Sequence, residues 1–137
     1  MGRKNFGKKT SPDAFKWLSA VPLLFAAETL FLFYMALQPG YAVPSLGMPF
    51  LRGGDFEHFL AYLAYGLLAY GTFSLKIRDR KRALIFSLAW CAFYGGITEG
   101  MQAFVPTRVA DPLDWMADVL GAGAGIVLAG FHKKDDT

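Results

Sequence analysis

The residues able to do chemistry fall into three short sets at helical spacing. Asp55, His58 and Tyr62 stand at i, i+3 and i+7, Glu99 and Gln102 at i and i+3, and Asp111, Asp114 and Asp118 at i, i+3 and i+7. Each set therefore shares one face of a helix. Carboxylates and imidazole beside long apolar runs are costly unless paired, so three such faces read first as a functional site. Arg108 lies in the segment between the second and third sets. The residue types suffice for a ligand held by hydrogen bonds. They also suffice for headgroup chemistry in which His58 is a general base or metal ligand and Arg108 holds a phosphate. Gly-x-Ser-x-Gly, His-Glu-x-x-His and P-loop motifs are absent, and no metal or cofactor is assigned. His58 has only His132, near the chain end, for company, so a metal here would have mostly carboxylate ligands.

Structural roles compete for several of these residues. Asp111 reads best as an N-cap, Asp55 equally well as a cap or a site residue, and Asp114 as an acid at the positive end of a helix dipole. Asp118 and Glu99 lie too deep for capping; their structural alternative is a hydrogen-bonded packing network, with Glu99 neutralised by Arg108. Glu28 falls near the middle of the first apolar run, beyond a kink expected at Pro22, and is expected to face the interior without an assigned role.

The elements that must position these faces follow from hydropathy. Of 137 residues, 54% are hydrophobic, and the charged residues are segregated from the apolar stretches. Four apolar runs, 15–37, 59–75, 83–104 and 115–131, are long enough to cross a hydrocarbon core about 30 Å thick. Backbone groups in lipid must be satisfied within each segment, so each run is a helix. The expected fold is all-α, one domain over residues 1–137, an integral membrane bundle of four transmembrane helices. Ser11, Pro12 and Asp13 mark the start of the first helix, and Asp111, Pro112 and Asp114 the start of the fourth. Residues 38–54 form a Gly- and Pro-rich loop. The first run is about twice the length of a cleavable signal core and reads as a retained span. Cys91 is the only cysteine, which excludes an internal disulfide and a CxxC metal site. Gly96 with Gly100, and Gly121 with Gly125, are small residues at four-residue spacing that let helices approach closely, within the chain or in a homo-oligomer.

Basic residues give the orientation. Twelve of the fourteen Lys and Arg precede or open the first run, join the second to the third, or follow the fourth; only Arg52 and Arg108 lie in the other two loops. The positive-inside rule puts both termini and the 76–82 loop in the cytoplasm, with the polar faces within roughly 10 Å of the outer surface. Basic clusters flanking apolar runs are a membrane pattern, and no nucleic-acid partner is expected.

The stretch EGMQAFVPTRVADPLDWMADVLGAGAG, residues 99–125, resembles the signature of the VanZ-like family: Glu-x-x-Gln, Phe-Val-Pro-x-Arg, Asp, a second Asp or Asn, and spaced glycines. HFLAYLAYGLL, from His58, resembles the family's His followed four residues later by Tyr. Together they span the interval 58–125, about half the chain. The family commonly carries Asp-Lys ahead of this His, with the Asp four residues before it; here Gly54 and Asp55 occupy those places, and the Lys is missing. Asp118 stands where many members have Asn. The resemblance implies a four-span protein of the cytoplasmic membrane, of a family whose founding member is associated with low-level teicoplanin resistance. The expected site is an outward-facing polar pocket of His58, Tyr62, Glu99, Gln102, Arg108, Asp114 and Asp118. Its expected partner is a membrane lipid or lipid-linked cell-wall component bound by a non-enzymatic cell-envelope protein. The alternative is an intramembrane hydrolase or transferase acting on a headgroup. A channel or transporter is disfavoured, since four spans enclose little volume and no inverted repeat is visible.

Overall fold

A computed structural model describes residues 12–42 and 54–132, with side chains over 20–42 and 54–131. Four helices follow in order: α1 (Pro12–Ala36), α2 (Asp55–Phe73), α3 (Arg80–Gln102) and α4 (Pro112–His132), with one 3-10 turn at Gly40–Ala42. The described residues contain no strand. Each helix starts three or four residues before its apolar run, because the first turn carries polar and capping residues that hydropathy does not register. Ser11 and most of the 38–54 loop lie outside the described residues.

The caps are local chemistry. Asp111 Oδ1 accepts the Leu113 N–H at 2.9 Å and starts α4, as its position before Pro112 predicts. Asp79 does the same for α3, accepting the Arg82 N–H at 2.7 Å. Asp55 is not the cap of α2: Gly54 holds that position at φ 120, a backbone conformation only glycine adopts without strain. Glu57 Oε2 accepts the Gly54 N–H at 3.0 Å and closes the turn. Asp55 is thereby the first helical residue, half-buried beside α4.

α2 is the central helix. It packs on α1, α3 and α4, whereas α1 does not pack on α4 among the described residues. α2 and α4 run parallel and approach most closely. A Cβ on Gly121 would lie 2.9 Å from the Phe59 carbonyl carbon, one on Gly125 2.9 Å from the Leu67 nitrogen, and one on Gly66 2.8 Å from the Ala122 Cα. The expectation of close approach thus holds for Gly121 and Gly125. Gly96 and Gly100 differ: the nearest atom to a Cβ on Gly96 is Trp115 Nε1 at 3.7 Å, and Gly100 has nothing within 4 Å. Their face of α3 meets no neighbouring backbone among the described residues.

The buried core is built from small residues and aromatics with polar tips: Tyr62, Tyr65, Ala69, Tyr70, Cys91 and Tyr94. Tyr65 is fully buried; its hydroxyl meets Thr29 Oγ1 at 3.1 Å and accepts from Trp90 Nε1 at 3.0 Å. Tyr94 donates to the Thr29 carbonyl at 2.6 Å, and Phe25 stacks on Tyr65 with centroids 5.0 Å apart. This layer ties α1 to α2 and α3 and satisfies the polar tips that burial would otherwise penalise. Glu28 lies at the edge of the same inward face of α1, one turn before buried Leu32, and is half-buried.

Large apolar side chains point outward instead. Leu23, Leu30 and Phe31 on α1, Ile85 and Phe93 on α3, and Leu120 and Leu128 on α4 are exposed. Two helices, Arg80–Gln102 and Pro112–Phe131, are long and apolar enough to cross a membrane, and only 33% of either apolar window is buried within the bundle. The described apolar part of α1, Ala20–Ala36, is shorter. α2 does not meet the same measure, for a physical reason. Its first turn carries Asp55, Glu57 and His58, and the rest of the helix is rich in tyrosine and glycine, which lowers its mean hydropathy.

Candidate functional site

α2 and α4 begin at the same end of the bundle, where α3 finishes, and this common end places the three polar faces side by side. His58, in the first turn of α2, meets Asp118, in the second turn of α4, through Nδ1 and Oδ1 at 2.8 Å. The His58 side chain is 19% exposed, while Asp118 is 0% exposed. A carboxylate on Nδ1 fixes the proton there in the neutral imidazole and leaves Nε2 with the free lone pair. Asp118 has room because residue 95 is glycine: a Cβ there would lie 3.1 Å from Asp118 Oδ2 and 3.3 Å from its Cβ. Trp115 Nε1 donates to the Ala92 carbonyl at 2.9 Å and holds the start of α4 against α3.

Glu99 enters from the last turns of α3 and is 6% exposed. One of its oxygens, Oε1, accepts a short bond from the Asp111 N–H, the residue that caps α4. Glu99 therefore couples the end of α3 to the start of α4, and the expected partnership with Arg108 is replaced by this backbone bond. Among the described residues, Arg108 forms no ion pair with Glu99 or with the aspartates within 4.0 Å. It is half-buried in the α3–α4 loop, where its N–H donates to the Val105 carbonyl. Its neighbour Thr107, at φ 70, accepts the Gly40 N–H through Oγ1 at 3.1 Å and joins the two loops at this end.

Asp114, in the first turn of α4, completes the group with the acid of Asp55 beside it. One ligand-capable atom from each of His58, Glu99 and Asp114 lies within 4.8 Å of the other two. The fold thus brings together His58, Glu99, Asp114 and Asp118. Tyr62 turns elsewhere: its hydroxyl meets Thr98 Oγ1 at 3.0 Å, one turn deeper, and Thr98 bonds back to the Tyr94 and Gly95 carbonyls. Gln102 is buried, 5% exposed, at the end of α3.

Two carboxylate oxygens in this group, Glu99 Oε2 and Asp118 Oδ2, are buried and make no hydrogen bond among the described residues. Thr98 and Gly95 were not identified from the sequence. Thr98 precedes Glu99 directly, so an extended polar reading of α3 could have found it; Gly95 carries no chemical signal at all.

The VanZ/LLP1 family model matches residues 14–133, nearly the whole chain and all of the described helices except the first two residues of α1. No curated protein and no solved structure matches the chain. The match spans both segments carrying the polar cluster, His58 on α2 and residues 99–118 on α3 and α4, and two of the matched helices are long and apolar enough to cross a membrane. The chain is a membrane protein and belongs to the VanZ/LLP1 family.

Proposed function

We propose that the protein crosses the cytoplasmic membrane four times with both termini inside. In this reading its outward-facing polar end binds the headgroup of a membrane lipid or lipid-linked cell-wall component without transforming it. The distribution of Lys and Arg supports the orientation, and the outward Leu, Ile and Phe side chains of α1, α3 and α4 support contact with lipid on those helices. The observation that carries the binding role is the convergence of His58, Glu99, Asp114 and Asp118 at one end of the bundle, with two buried carboxylate oxygens unpartnered among the described residues. A purely structural network would be expected to satisfy such atoms, because a buried unpaired carboxylate oxygen is costly.

The deciding experiment compares a deletion strain, its rescue by the wild-type chain and rescue by His58→Ala, reading envelope lipid composition and glycopeptide susceptibility. Wild-type rescue with failure of a stably expressed His58→Ala supports the binding role. A deletion that changes neither readout refutes it.

One observation favours a second reading, an intramembrane hydrolase or transferase: Asp118 holds His58 Nδ1 as a general base is held for proton abstraction at Nε2. Turnover of a headgroup by the purified chain, lost in Asp118→Asn, would establish that reading over the first.

A further inference from the structure

Three carboxylates, Glu99, Asp114 and Asp118, surround one imidazole, with Asp55 beside Asp114 and no Lys or Arg ion-paired to them among the described residues. Such a group repels the phosphate or carboxylate of an anionic headgroup. It also holds more negative charge than His58 can neutralise, in a partly buried site. Bound protons or a bound cation must balance it.

We propose that His58, Glu99 and Asp114 bind one divalent transition-metal ion, with Asp118 orienting the imidazole from behind. Four observations carry this. The three residues come from three different helices, and a donor atom of each lies within 4.8 Å of the other two. Ligands about 2.1 Å from a zinc-type ion stand roughly 3.4 Å apart, so each side chain would move inward by less than about 1 Å. Glu99 is more than nine-tenths buried, and its Oε2 has lone pairs unused among the described residues, while Oε1 is anchored by the Asp111 N–H. The His58–Asp118 pair is the carboxylate–histidine arrangement that sets the tautomer of a metal-bound imidazole and raises its basicity.

One nitrogen and two carboxylate donors select Zn2+ or Mn2+ over Mg2+ or Ca2+, which prefer all-oxygen sites. Three protein ligands would leave a fourth coordination position for an added ligand. The inference rests on the reading of this cluster as a ligand site and deepens it: the ion would offset two of the site's negative charges and offer a Lewis-acidic position for an anionic headgroup oxygen that the bare carboxylates would exclude.

The test uses the full chain in detergent, stripped with a chelator, re-exposed to Zn2+ or Mn2+, desalted and measured by elemental analysis and calorimetry, with no lipid added. The expected result is about one ion per chain and a higher melting temperature. His58→Ala, Glu99→Gln and Asp114→Asn should each abolish stoichiometric uptake, and Asp118→Asn should weaken affinity about 10–100-fold. Asp79→Asn, at the far end of α3, should bind as the wild type does. Three variants at separate helices keep the test decisive if one fails to fold. Wild-type protein that takes up no ion, or variants that bind as well as the wild type, would overturn the inference. Because uptake is measured without lipid, uptake by a chain whose deletion has no envelope phenotype leaves the metal site standing while headgroup binding falls. A phenotype without uptake does the reverse.

Discussion

Replacing Gly125 with alanine adds one methyl group at the tightest seam of the bundle, and its cost follows from the backbone atoms it would meet. The new Cβ would lie 2.9 Å from the Leu67 nitrogen and 3.0 Å from the Leu63 carbonyl carbon, with the Leu63 carbonyl oxygen closer still, against ordinary contacts of 3.4–4 Å. These are main-chain atoms of α2, which cannot rotate away as a side-chain tip can. The helices must therefore separate by roughly 0.5–1 Å, loosening Gly121 on Phe59 and Gly66 on Ala122 as well. Overpacking of this kind costs about 1–3 kcal/mol. Alanine recovers about 0.5–1 kcal/mol of that through its better helix propensity. Gly100→Ala supplies the control: with nothing among the described residues within 4 Å of its Cβ, it keeps only the propensity gain and should be neutral or slightly stabilised. Denaturation of both variants in mixed micelles, followed by circular dichroism, should give Gly125→Ala the lower midpoint, below that of the wild type. Equal stability of Gly125→Ala and Gly100→Ala would refute the close packing of α4 on α2.

Gly121→Leu, which forces a whole side chain against Phe59, should lower the amount of folded protein in membranes, measured by quantitative immunoblot. Asp111→Ala removes the cap on Leu113 and should destabilise α4 by about 1 kcal/mol, read from a shift in the same denaturation midpoint. A tag at Lys134 and a cysteine in the 76–82 loop should be shielded from impermeant reagents in intact cells, whereas a cysteine near Ser45 should react; labelling of the 76–82 loop from outside would reverse the orientation. Glu99→Gln keeps shape and most hydrogen-bonding capacity, so in a charge-dependent site it should be folded but without envelope phenotype. Full activity at normal abundance would show that the charge of Glu99 is dispensable.

Most of the secondary structure was legible in the sequence, because its causes are local. An apolar run needs a helix to satisfy its backbone, and Asp-Pro before such a run caps and starts it wherever the chain goes next. The cap of α2 was less legible: Asp55 has the better capping side chain, but the turn needs positive φ at residue 54, and only glycine supplies that without strain. Sequence spacing also placed His58, Glu99, Asp114 and Asp118 on helix faces at one end of three elements.

The pairing of those faces depends on interhelical rotation and distance, which residue types do not encode one at a time. His58 finds Asp118, and Glu99 finds the Asp111 N–H in place of Arg108, because α2 and α4 lie parallel at close range and α3 ends where α4 begins. The two glycine pairs show the limit most clearly. Gly96 with Gly100 and Gly121 with Gly125 have the same spacing, yet only the second pair lies against another backbone, while Gly95, outside either pair, makes the room for Asp118. A glycine permits close approach from any side. Which side is used is a property of the packed bundle, where the area buried by all four helices together sets each one's rotation.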